Sequence, residues 1–170
     1  MTVDPIHQFK INNLVPLFTF HGHEIAFTNS ALYMLIIVLL VSALLIGGTA
    51  QRALVPGRLQ SIAEMSYEFV ANTVRSSAGT EGMKFFPFVF TLFMFVLFAN
   101  MLAGHITQQV FAGFIIMLAG FGIAGWFGAA IPLLLVIMLT ALEFLVAFLQ
   151  AYVFAILTCI YLNDAIHPGH

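Results

Sequence analysis

After Lys84 the sequence has no lysine and no arginine through to its end at His170. Charge is scarce everywhere: Asp, Glu, Lys and Arg make up 7% of the 170 residues. A soluble domain carries about 25%, so this composition excludes an ordinary water-solvated globule. A net charge of −2 gives no basis for holding nucleic acid. One cysteine, Cys159, excludes an internal disulfide and every Cys-pair metal or redox motif. It lies in an apolar run and reads as a small buried hydrophobe. There is no nucleotide-binding loop and no nucleophile–base arrangement. A basic start followed by a short apolar region is also missing, so the first hydrophobic segment is expected to be retained rather than cleaved as a signal.

What the sequence has instead is apolar length. It is 62% hydrophobic and contains 19 phenylalanines, the composition of an integral membrane protein. Residues 31–50, "ALYMLIIVLLVSALLIGGTA", carry no charge and make about 30 Å of helix, one bilayer core. Residues 85–119 would extend for about 52 Å as helix, which calls for a strong tilt or a break near Ala103 and Gly104. Gly120, Gly122, Gly125 and Gly128, followed by Pro132, read as a hairpin connection, with Trp126 at a membrane interface. Residues 129–162 form a second long, tilted helix. The expected architecture is all-α, with three crossings and a long C-terminal helical hairpin.

Arg52, Arg58, Arg75 and Lys84 are four of the five cations. The positive-inside rule puts them in the cytoplasm, which places residues 1–30 outside and the C-terminus inside. Within this stretch, residues 57–77 space Ile62, Met65, Phe69 and Val70 helically, and Ser61 with Glu64 suits a capping box. This reads as an amphipathic helix lying on the membrane surface or packed on another subunit.

Polar groups inside the apolar runs are the candidate functional residues. Glu143 stands 11 residues past Pro132, about 16 Å along a helix and near mid-bilayer. An intramembrane acid is costly and marks an ion or proton path. Gln150 shares its face two turns on, with Ala147 between. On the preceding helix His105, Gln108 and Gln109 fall at i, i+3 and i+4. Asn100 points about 140° and Val96 about 180° away from His105. His105 and Glu143 can both titrate when their surroundings shift them, and together they favour proton handling. One His and one Glu among glutamines do not complete a metal set, so no metal or cofactor is expected.

"LFANMLAGH" (97–105), "LEFLVAFLQAYVF" (142–154), "DPIHQF" (4–9), "GRLQSIAEMSYEFV" (57–70) and "FFPFVFTLFMFVLFANM" (85–101) resemble subunit a of the F-type rotary ATP synthase, in its alphaproteobacterial and mitochondrial form. The resemblance runs in order over almost the whole chain. It implies a multi-pass protein of the bacterial inner membrane that partners a ring of c subunits, the peripheral-stalk subunit b and the rest of the synthase. Such a subunit gives protons two aqueous half-channels to and from the ring carboxylates. By motif, His105 and Glu143 correspond to the polar pair of one half-channel, with Asn100, Gln108 and Gln150 along the proton path. Val96, Asn100, Ala103 and Thr107 would face the ring, while His105, Gln108 and Gln109 face the final helix.

One position departs from the pattern. The family motif reads Arg-Leu-Phe-Ala-Asn-Met-Leu-Ala-Gly-His, and the arginine is its essential residue. Here that place holds Val96. The chain is also short for the family. A similar Phe-Ala-Asn-Met occurs twice in family members, and this sequence reads as though joined across the two copies, the arginine lost with the segment between. Two alternatives stand beside a conducting subunit: an assembly-competent, non-conducting form, which follows from the missing arginine, or an unrelated small membrane channel or transporter.

Overall fold

A computed structural model describes residues 10–20, 23–50 and 55–167. The element order is a β-hairpin, β1 (Asn13–Phe20) and β2 (His23–Thr28), then α1 (Asn29–Thr49), α2 (Arg58–Gly82), a single 3-10 turn Met83–Phe85, α3 (Phe86–Ala119) and α4 (Ile123–Ile166). Among the described residues, three helices are long and apolar enough to cross a membrane. Large apolar side chains cover the surface, among them Phe88, Ile116, Leu134 and Ile137, each more than 60% exposed. Such a surface suits hydrocarbon rather than water. The protein is an all-α integral membrane protein with a short β-hairpin before its first helix.

The contacts divide the chain into two compact units. One unit contains residues 37–99 and 146–170, and so holds most of α1, all of α2, the start of α3 and the end of α4. Its core joins Val70, Val74 and Ala78 of α2 to Val89, Phe93 and Met94 of α3 and to Ala151, Ala155 and Cys159 of α4. On α4, Ala147, Ala151, Ala155 and Cys159 recur every fourth residue, each no more than 1% exposed. Small residues at that spacing let helix backbones approach closely without lipid between them. Phe69 completes the packing, its ring 5.6 Å from Phe93, 5.2 Å from Phe148 and 5.5 Å from Tyr152.

The face that α2 buries differs from the one its periodicity suggests. Val70 is buried and Phe69 half-buried, but Ile62 and Met65 are exposed, and Ala63, Ala71, Val74 and Ala78 fill the interior. Small side chains win because they allow the closer approach. The regular helix is interrupted at Gly79, where φ is 66°.

The other unit contains residues 1–36 and 100–145. Its hairpin is antiparallel, with register shifts between Asn13 and Val15 and between Pro16 and Phe18. In the same unit, α3 from Asn100 onward and α4 as far as Leu145 form a helical hairpin. The connection is shorter than the glycine cluster suggests. It spans Gly120–Gly122, with Phe121 N–H donating to the Leu118 carbonyl at 3.0 Å. Gly122 has φ 75°, a backbone setting open to glycine and costly for other residues. Gly125, Gly128 and Pro132 all lie inside α4, as glycine and proline do more often in membrane helices than in soluble ones. The side chain of Trp126 lies outside the described residues.

Candidate functional site: a buried carboxylate between facing helices

Glu143 sits on α4 with 11% of its side chain exposed. Two side chains of α3 reach it. His105 Nδ1 lies 3.1 Å from Oε1, and Gln108 Nε2 donates to Oε2. Residues three apart on a helix project from one face, so His105 and Gln108 close on one carboxylate together. Each carboxylate oxygen thus has its own partner, which offsets the cost of burying the group.

The environments of the two titratable groups are unequal. The His105 side chain is 60% exposed, while its carboxylate partner is nearly enclosed. Glutamate with an ionised carboxylate accepts from the protonated Nδ1. A protonated carboxyl can instead donate to a neutral ring whose proton is on Nε2. The pair can therefore pass a proton across a 3.1 Å contact between an open and a closed position.

The close approach depends on a residue that the sequence marks only as a possible break. A Cβ at Gly104 would collide with Cγ, Cδ and Oε1 of Glu143. Helix α3 does not break there: it runs from Phe86 to Ala119. Gly104 instead leaves the space that the carboxyl group occupies.

The remaining expected site residues are distributed differently. Asn100 is half-buried and Ala103 exposed on α3 in the unit that holds Glu143, and Thr107 lies on the same helix. Val96 belongs to the other unit and packs, half-buried, against its core. Gln150 also belongs to that unit, where it is exposed and lines a shallow depression with aliphatic neighbours such as Val146 and Leu149.

Membrane-length helices that bring a carboxylate, an imidazole and an amide together define a polytopic protein with a titratable cluster between two of its helices. The family model for the ATP synthase A chain matches residues 31–100 and, separately, 97–163. This chain belongs to that family. It is 46% identical to the ATP synthase subunit a of Rhodopseudomonas palustris strain BisA53 over 248 aligned positions, covering 99% of this chain and 100% of that protein. Identity to the subunit a of Nitrobacter winogradskyi is 45% over 248 positions, with the same coverage. For Bradyrhizobium diazoefficiens it is 46% over 254 positions, covering all of both chains. Alignments of that length exceed the 170 residues present, so an internal stretch of each relative lies opposite no residue of this chain. The two family matches overlap at residues 97–100, Leu-Phe-Ala-Asn, within the tetrapeptide region where the sequence reads as joined.

Proposed function

We propose that this chain acts in the bacterial inner membrane as the proton-channel subunit of a rotary F-type ATP synthase. In that role it would carry protons to and from the carboxylates of a c ring during ATP synthesis. The observation that carries the reading is the His105–Gln108–Glu143 cluster, in a chain that belongs to the family over nearly its whole length. In this reading His105 exchanges protons with water and Glu143 stores them within the membrane. Asn100 and Gln150 line the path, and Val96, Ala103 and Thr107 face the ring. Subunit b of the peripheral stalk and the other synthase subunits are the further partners. The four cations between Arg52 and Lys84 support an N-terminus outside and a cytoplasmic C-terminus.

A specific observation favours a second reading, an assembled but non-conducting subunit. A ring carboxylate that gives up its proton inside the membrane needs a fixed positive charge, or it is reprotonated at once. Guanidinium remains charged at any relevant pH. Val96 occupies the family's arginine position, and neither α3 nor α4 carries a lysine or an arginine. Reconstitution with a c ring in sealed vesicles separates the readings: proton flux that depends on both the ring and Glu143 supports the first, and stable ring association without flux supports the second.

A further inference from the structure

The β-hairpin before α1 is amphipathic in a way that its sequence conceals. Strict alternation along β1 would put Leu14 and Phe18 on one face and Val15 and Leu17 on the other, leaving bulky apolar side chains on both. The two register shifts sort them differently. Directly opposed residues share a face, and the register opposes Val15 to Phe27 and Phe18 to Ile25. Asn13 meets Thr28, Pro16 meets Ala26 and Thr19 meets Glu24. On β2, Ile25 and Phe27 lie two apart and project to one side, with Glu24, Ala26 and Thr28 on the other. One face of the hairpin therefore carries Val15, Phe18, Ile25 and Phe27. The other carries Asn13, Thr19 and Glu24, the one acid of the two strands.

Val15, Phe18 and Ile25 are each at least 40% exposed. A two-stranded sheet is marginal in water by itself, and an exposed apolar patch rimmed by polar groups marks a surface that meets protein or membrane. The attachment of the hairpin decides between the two. Strand β2 ends at Thr28 and α1 begins at the next residue, with no linker. Thr28 Oγ1 accepts from the Ala31 N–H at 3.3 Å, so the end of the strand also caps the helix. Asn29 fastens the chain entering β1: its Oδ1 accepts from the Asn12 N–H at 3.1 Å, and its Nδ2 donates to the Lys10 carbonyl at 2.9 Å. The 21 residues of α1 make about 31 Å of helix, one hydrocarbon core. Asn29 thus stands at the boundary of that core and holds the open end of the hairpin there, continuous with the exposed apolar surface of Met34 and Leu35 on α1.

We infer that the hairpin is an interfacial anchor. Its face of Val15, Phe18, Ile25 and Phe27 rests in the headgroup and upper acyl layer of the phospholipid, on the side of the membrane from which α1 enters. Its face of Thr19 and Glu24 is turned to water. The anchoring is independent of whether the chain conducts protons.

The test uses the full chain with its one tryptophan removed by Trp126→Phe and a single reporter installed at Phe18→Trp or Thr19→Trp, neighbours assigned to opposite faces. Each chain is reconstituted in phosphatidylcholine vesicles, and its fluorescence is quenched by acrylamide from water or by lipids brominated at a shallow or a deep acyl position. Leu39→Trp, ten residues past Asn29 and so about 15 Å along α1, calibrates the deep response. Phe18→Trp should be quenched more by the shallow bromolipid than by the deep one, the reverse of Leu39→Trp. Acrylamide should quench Thr19→Trp several-fold more strongly than Phe18→Trp. Equal acrylamide quenching at the two positions would show the hairpin standing in water and overturn the anchor. A Phe18→Trp reporter shielded from acrylamide and bromolipid alike, in the chain alone or after assembly with other synthase subunits, would overturn it in favour of a protein cover.

Discussion

Gly104 on α3 and the Glu143 carboxyl on α4 occupy adjoining space, and any side chain at Gly104 would intrude on the carboxyl group. The missing Cβ is what lets the carboxylate lie against α3, within reach of both His105 and Gln108.

Gly104→Ala should therefore push Glu143 off its partners and lower ring-dependent proton flux. A Cβ at Gly113 meets nothing within 4 Å, so Gly113→Ala should leave flux intact. It should also stabilise the helix slightly, by about 0.5–1 kcal/mol. Flux measured in vesicles beside thermal unfolding in detergent checks both; equal effects of the two substitutions would contradict the account.

Glu143→Gln keeps the shape of the side chain and one acceptor oxygen but cannot titrate. In a version of the chain that conducts, flux should fall on the order of a hundredfold, the lower end of what a positioned acid–base group contributes. Folding and ring association should persist, as read by co-purification. Undiminished flux would remove Glu143 from the path.

Val96→Arg puts a guanidinium at the family's position, on a residue packed half-buried against its unit's core. Ring-dependent flux should rise above that of the parent chain, and Val96→Lys should restore less, because the ammonium loses its proton more readily when desolvated. A variant that binds the ring and still conducts nothing would show that the missing segment is required as well as the charge.

Ala151→Leu tests the stripe of small residues on α4. Ala151 is 0% exposed, and extra methylenes in a filled interior cost about 1–3 kcal/mol. The midpoint of detergent unfolding should fall accordingly. Leu145→Ala, at a position 57% exposed, should change it far less.

The sequence disclosed the spans and the titratable pair because both rest on composition and helical spacing. An uninterrupted run such as residues 31–50 has few alternatives to a membrane helix, and His105, Gln108 and Glu143 stand out as polar groups in apolar surroundings. The β-hairpin stayed hidden. Its two register shifts break the alternation that marks a strand, and Pro16 argues against one. The role of Gly104 stayed hidden too, since it depends on a side chain 39 positions further along. Glycines after Ala119 suggested a longer turn than exists, because only Gly122 takes the left-handed backbone there. Sequence spacing could mark the small-residue positions but not rank them above the larger Ile62 and Met65 as the buried face of α2.

The tetrapeptide Leu97–Asn100, shared by the two family matches, lies inside a helix that runs without interruption from Phe86 to Ala119. Joining two helical stretches at an identical tetrapeptide leaves the winding of the helix in step, since each residue still advances about 100° from the last. Were the chain joined there, the seam would be silent to the winding of α3, although each relative carries an internal stretch that this chain lacks.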